Sequence, residues 1–232
     1  MITEGLEAWV LHKRPSGDTS ARVTFFTREK GIVNGLCKGG RTPKKQALLQ
    51  PFSPLWLAIE LRRDWPYVRQ FETFARPLEF EGNSLFAGLY VNELLYYVLS
   101  PMDAHPDLFD MYLHTLQGLS SSTDKLVIEV LLRRFEYALL VASGYSVSFT
   151  TEANSLKPIE FNQVYQFIAG EGFVVADKGI EGSDILALAQ GQLDEIKVLK
   201  TAKFIMRQAV DHLLGGRELK SRSLYPHKKI GM

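Results

Sequence analysis

"ARVTFFTREKGIVNGLC", Ala21–Cys37, decides how the first third of this chain folds. Ala21–Thr27 is rich in β-branched and aromatic side chains, which suit a pleated, half-buried surface. Glu29-Lys30-Gly31 reads as a tight turn, and Ile32–Cys37 continues as a second strand. Working outward, Leu6–Lys13 is a strand that ends in a turn at Pro15–Asp18. On the other side, Leu55–Leu61 and Tyr67–Phe74 are strands joined by a turn at Arg62–Pro66. A run of short strands with no helix between them predicts a small closed or nearly closed barrel. Closure leaves few free edges, and the loops can be specialised without disturbing the core.

From Ser84 the period changes. "SLFAGLYVNELLYYVLSP" offers Ser84 as an N-cap, apolar residues at every third or fourth position, and Pro101 as the stop. Phe109–Leu119 is a second helix. "TDKLVIEVLLRRFEYALLVASGY" is a third, capped by Thr123 or Asp124 and ended at Gly144. "QVYQFIAGEGFVV" reads as a β-hairpin turning at Gly170–Gly172, and Ser183 caps a short helix to about Ala189. The last long helix is "DEIKVLKTAKFIMRQAVDHLL". It has acids in its first turn, a stop at Gly215-Gly216, and an apolar stripe of Ile196, Leu199, Ala202, Met206, Val210 and Leu213. The expected class is α+β: an N-terminal β-barrel over residues 1–79, then a mostly helical domain over 80–232 with a hairpin insert.

Composition narrows the function. One cysteine excludes an internal disulfide and a Cys-rich zinc site, and it fits a reducing compartment. The N-terminus has acids where a signal peptide needs a basic run, and no apolar run reaches a membrane span. These features lead us to expect a cytoplasmic protein. The net charge of +1 conceals a division: residues 1–80 carry +5, residues 81–196 carry −11, and residues 197–232 carry +7. Either basic end suits an anionic partner.

The strongest local signal is "CKGGRTPKK", Cys37–Lys45. Lys38, Arg41, Lys44 and Lys45 join Lys30 in a span with no acid from Lys30 through Ile59. Gly39 and Gly40 let backbone amides approach an anion. Cations with free amides suit phosphodiesters. Nearby Phe25, Phe26, Trp56, Trp65 and Tyr67 offer stacking surfaces for unpaired bases, although core filling is the commoner use of such residues. On the last helix Lys197, Lys200, Lys203 and Arg207 form a cationic set, followed by Arg217, Lys220, Arg222, Lys228 and Lys229. Arg133-Arg134 stands inside a very apolar helix. It calls for Glu129 or Glu136 at helical spacing, or for a partner's carboxylate at the edge of an apolar cleft. Asp103, His105, Asp107 and Asp110 cluster in sequence, yet they lie just after Pro101, where Asp107 suits a first helical turn. No nucleophile elbow, metalloprotease motif or Gly-rich dinucleotide turn appears, so no catalytic residue, metal or cofactor is assigned.

Four stretches then carry a resemblance: Val10–Arg41, "GLYVNELL" (Gly88–Leu95), "LRRFEYALLVASGY" (Leu132–Tyr145) and "LLGGRELKSRSLY" (Leu213–Tyr225). In this order they resemble the RecO family of bacterial recombination mediators, over nearly the whole chain. The resemblance implies an OB-fold followed by a helical domain. It implies binding to single- and double-stranded DNA and annealing of complementary strands. Its other implications are partnership with RecR, loading of RecA on strands coated by single-stranded DNA-binding protein (SSB), and a nucleoid-associated location. The family's loop pattern falls on Lys38, Gly39 and Arg41. Its site for the acidic SSB tail falls on Arg133, Arg134, Lys220 and Arg222, to which the cationic stripe adds Lys203 and Arg207. Those C-terminal cations serve the tail or additional DNA contacts. Many relatives carry a four-cysteine zinc site after the "GY" at Gly144-Tyr145. Here "GYSVSFTTEANS" has no cysteine, so zinc is not expected. Two rivals are a protein-only adaptor for acidic partners and a magnesium nuclease built on Asp103, Asp107 and Asp110.

Overall fold

The computed structural model describes residues 4–62 and 65–224, which fall into two compact units, one of the described residues up to 123 together with 219–224 and one of residues 124–218. The first unit begins with β1 (Glu4–Ser16), β2 (Ser20–Thr27), β3 (Gly31–Cys37), a short helix α1 (Pro43–Leu48), β4 (Pro54–Arg62) and β5 (Trp65–Thr73). The strands close into a barrel in the order β1-β2-β3-β5-β4, and β1 pairs with β4. All pairings are antiparallel except β3 with β5, where Leu36 meets Tyr67 and Cys37 meets Val68. This is the five-stranded OB-type barrel that the strand spacing and the resemblance predict.

Period-two alternation fills the barrel. Leu6, Ala8 and Val10 from β1, and Ala21, Val23 and Phe25 from β2, all enter the core beside Leu55, Leu57 and Ile59. Closure requires bent strands, and the register shifts at Val10/His12 in β1 and at Ala58/Ile59 in β4. Gly35 stands where β3 crosses towards β5. A Cβ there would lie 2.6 Å from Val68 Cγ2, so the parallel closure needs glycine.

Alternation breaks at Phe25-Phe26, because both faces of β2 are covered. Phe25 faces the barrel core, whereas Phe26 packs on Phe109 and Tyr112. Those two residues belong to α3 (Pro106–Ser121), which follows α2 (Asn83–Val98). Helix α2 starts one residue before the expected cap. Ser84 Oγ donates to Glu81 O rather than capping the helix with its side chain. The buried Asn92 on α2 donates to Val10 O at the β1 bulge and accepts from Tyr112 Oη. A polar residue inside "GLYVNELL" is thus satisfied on both sides.

The second unit contains α4 (Lys125–Ala142), a three-stranded sheet of β6 (Val164–Ile168), β7 (Gly172–Val175) and β8 (Ile180–Glu181), then α5 (Gly182–Ala189) and α6 (Ile196–Leu213). Asp124 caps α4 by accepting from Leu126 and Val127 amides. The expected β6–β7 hairpin is present, and β8 adds a strand too short for a sequence signal. The core joins Leu140, Tyr165, Phe167, Phe173, Ile185, Ile205 and Met206. On α6 the buried residues include Leu199, Ala202, Met206 and Val210, but Ile196 is exposed, because the helix begins there and its first turn lies outside the packed face. No acid sits in that first turn. Glu195 occupies the N-cap position instead.

The chain then forms α7 (Lys220–Leu224), which belongs to the first unit. Residues 217–224 do not read as a helix in the sequence, and Lys228 and Lys229 lie outside the described residues. Among the described residues no helix is long and apolar enough to cross a membrane.

Candidate nucleic-acid interface and peptide cavity

The basic segment after β3 is built, not loose. Gly39 takes φ +67°, a conformation that favours glycine. Pro43 opens α1 at a position where its missing N–H costs nothing. Two of the expected DNA cations also shape the segment. Arg41 Nη1 donates to Gly17 O at 2.9 Å and Asp18 O at 3.1 Å, tying the loop to the β1–β2 turn. Lys45 Nζ donates to Lys38 O at 2.9 Å and stands 5.8 Å from the Phe71 ring centroid. Lys38 and Lys44 are exposed, and neither side chain has a hydrogen-bond or ion-pair partner among the described residues. Lys30 is not with them. It occupies the β2–β3 turn at the other end of β3, roughly 20 Å along the strand at ~3.3 Å per residue.

Beside this loop the outer face of the barrel forms a groove of about 560 Å³. Register places its rows. His12 stands opposite Thr24, and Thr24 opposite Asn34. Arg14 stands opposite Arg22, Arg22 opposite Leu36, and Leu36 opposite Tyr67. Thr24 Oγ1 donates to Asn34 Oδ1 at 2.7 Å, which orients the amide. Trp65 and Tyr96 complete the wall, and the Arg22 guanidinium lies 5.4 Å from the Trp65 ring centroid. Among the described residues no carboxylate lines the groove. Burial, then Arg14 and Lys220, hold the His12 imidazole below its ordinary pKa. Cations alternating with exposed aromatics suit a single strand whose bases are free to stack. Of the five aromatics flagged in the sequence, Phe25 and Phe26 are core residues and Trp56 and Trp65 are exposed. Tyr67 lines the groove. Arg14, Arg22 and Tyr96 had no local signal, because only the strand register and α2 bring them together.

The second unit holds a cavity of about 590 Å³ between α4, α6 and the segment after α4. Arg133, Arg134, Tyr137, Phe149, Ala202 and Met206 are among its lining residues. Arg133 is buried and pairs with Glu136 at 2.8 Å, one of the two acids expected for it. Its Nε is buried and has no hydrogen-bond partner. Glu129, the other acid, pairs with Lys203 of α6 at 2.5 Å. Arg134 and Arg207 are exposed. Arg133 and Arg134 thus share the cavity with Ala202 and Met206 of α6, and Lys203 joins α6 to α4 through Glu129. Lys220 and Arg222 belong to the other unit.

Among the described residues no group of three or more His, Cys, Asp or Glu could hold a metal ion. Asp110 pairs with Arg28 at 2.6 Å and Asp103 lies 3.4 Å from His105. Cys37 is a fully buried barrel residue, and burial pushes its thiol up to about 12, so it is no nucleophile.

The family model described as "Recombination protein O N terminal" matches residues 1–76, and "Recombination protein O C terminal" matches residues 80–223. The chain belongs to the RecO family. DNA repair protein RecO of Legionella pneumophila (strain Corby) is 59% identical over 226 residues, covering 97% of this chain and 99% of that one. DNA repair protein RecO of Actinobacillus pleuropneumoniae serotype 7 is 36% identical over 231 residues, covering 97% of this chain and 95% of that one. For DNA repair protein RecO of Sodalis glossinidius the identity is 38% over 224 residues, 94% of this chain and 85% of the other. Membership in RecO gives the chain a role in DNA repair and recombination.

Proposed function

We propose that this protein is a non-enzymatic recombination mediator that acts in the bacterial cytoplasm, on the nucleoid. Its barrel, within residues 1–79, binds DNA without reading sequence. Lys38, Arg41, Lys44 and Lys45 contact phosphates of single- or double-stranded DNA, and the adjoining groove stacks unpaired bases. Lys30 adds a separate phosphate contact at the far end of β3. Cations that screen two phosphate backbones at once promote annealing of complementary strands with no covalent step. The observation that carries this reading is the groove of Arg14, Arg22, Trp65 and Tyr67 beside the basic loop, lined by no carboxylate among the described residues.

The cavity at Arg133 and Arg134 is proposed to hold the acidic tail of SSB. Such a tail ends in an apolar residue with a free carboxylate. The cavity supplies an apolar floor from Ala202 and Met206 and an unpaired buried donor at Arg133 Nε. Arg134, Lys203 and Arg207 form its cationic rim. Recruitment to SSB-coated strands, together with RecR, then opens them to RecA.

The test is fluorescence anisotropy of a labelled single strand against salt, for wild type and Lys38→Ala/Lys44→Ala. Arg41 and Lys45 also hold the loop together, so the pair without partners gives the cleaner charge effect. Lower affinity and a shallower salt slope support the phosphate clamp. An unchanged slope places the DNA site elsewhere. No DNA binding by wild type at moderate salt favours a protein-only adaptor that recruits acidic partners through the same basic surfaces.

A further inference from the structure

Lys220 and Arg222 lie in a segment whose neighbours are set by one carboxylate. Glu93 of α2 accepts from Lys220 N at 2.9 Å, from Ser221 N at 2.8 Å and from Ser221 Oγ at 2.6 Å. Leu219 and Ser221 are buried, and the Arg222 guanidinium lies 5.8 Å from the Tyr90 ring centroid on the same helix. Helix α7 is therefore fastened along α2 in the barrel's own unit. One turn beyond Glu93, Tyr96 lines the DNA groove and its ring stands 5.1 Å from that of His12. The Lys220 charge reaches His12, together with Arg14.

We propose that α7 is a cationic wall of the single-strand groove, not part of the peptide-docking surface, and that Lys220 contacts the phosphates of a strand crossing His12 and Tyr96. This rests on the DNA reading of the groove. The physical reason is continuity of charge: the Lys220 charge acts on His12, which lines the groove with Arg14 and Arg22, whereas the peptide cavity lies in the other unit. Glu93 is a positioning residue. Its carboxylate accepts from two backbone amides and a hydroxyl, which fixes the start of α7 on α2 one turn from Tyr96.

The full chain is titrated with a labelled oligothymidylate at several salt concentrations, and separately with a short acidic peptide ending in phenylalanine with a free carboxylate. Lys220→Gln is expected to weaken oligothymidylate binding about threefold to tenfold and to lower the salt slope by about one, the signature of one lost phosphate contact. Peptide binding is expected to stay unchanged. Glu93→Ala separates positioning from simple charge. Removing an acid near a DNA groove raises affinity if charge alone matters, and lowers it if α7 must be held in place. Thermal melts establish that both variants remain folded. An unchanged DNA slope in Lys220→Gln, a loss of peptide binding instead, or tighter DNA binding by Glu93→Ala overturns the inference. A wild type that shows no salt-dependent DNA binding overturns the DNA reading, and this inference with it.

Discussion

Tyr112 Oη donates to Asn92 Oδ1 at 2.9 Å, and both residues are buried between the barrel and its helices. Asn92 passes the interaction on to Val10 O, at the bulge where β1 bends to close the barrel. Tyr112→Phe removes the only hydroxyl that meets this amide oxygen and leaves a buried acceptor unpaired. The expected cost is about 1–2 kcal/mol, read as a lower urea midpoint with an unchanged slope. Asn92→Leu, which also strands the Tyr112 hydroxyl, is expected to cost more.

Trp65 is expected to distinguish single-stranded from duplex DNA under the proposed function. It is 57% exposed on the groove wall under the Arg22 guanidinium. Stacking on an unpaired base is worth roughly 1–3 kcal/mol, and a base inside a duplex cannot take part. Trp65→Ala is expected to weaken single-strand binding by about fivefold or more and to leave duplex binding within about twofold. Equal losses on both substrates in anisotropy titrations would refute base stacking at this wall.

Under the proposed function, His12 is expected to make single-strand affinity depend on pH. Burial, Arg14 and Lys220 disfavour its charged form in the free protein. A phosphate in the groove favours the charged form, so binding takes up a proton. Affinity is therefore expected to rise as pH falls through the range below the ordinary histidine value of about 6.5. The charged and titratable groups around it are Arg14 on β1, Arg22 on β2, Tyr96 on α2 and Lys220 on α7. His12→Gln is expected to flatten the profile.

Arg28 lowers the pKa of the exposed Asp110 through a hydrogen bond that links the β2–β3 turn to α3. A carboxylate depressed on folding contributes stability above its unfolded pKa, ~3.9, which is lost as pH falls through the folded value. Asp110→Asn is thus expected to melt slightly below wild type at neutral pH and to match it in strong acid. Added salt shrinks the difference, since the pair is open to solvent.

Cys37 lines the closed barrel and its thiol sits near 12. Thiol reagents at neutral pH are expected to label it only as fast as the barrel unfolds. Rapid labelling of the native protein would contradict the packing of β3.

Much of the fold is legible in the chain because it rests on local rules. Alternating β-branched and aromatic residues mark each barrel strand, helical spacing marks α2, α4 and α6, and Asp124 and Gly144 mark the ends of α4. The basic loop is legible for the same reason, since its charges are contiguous. The short elements α1, β8 and α7 are not. They are held by contacts such as Glu93 with Lys220 and Ser221, more than a hundred residues apart, and a short helix has no intrinsic stability to announce itself.

The DNA groove and the peptide cavity belong to the other category. Arg14, Arg22, Leu36 and Tyr67 share a row only because four strands pair in one register around a barrel. Composition says that the N-terminal region is basic; register says which cations and rings share one face of the barrel. Likewise, two arginines in an apolar helix call for carboxylates, and the choice of Glu136 for Arg133 and of Lys203 for Glu129 awaits the packing of α6 against α4. Local propensity and pattern act through bonds and short spacings, so the linear chain carries them. A site assembled across strands and helices depends on which surfaces burial brings together, and only the folded molecule decides that.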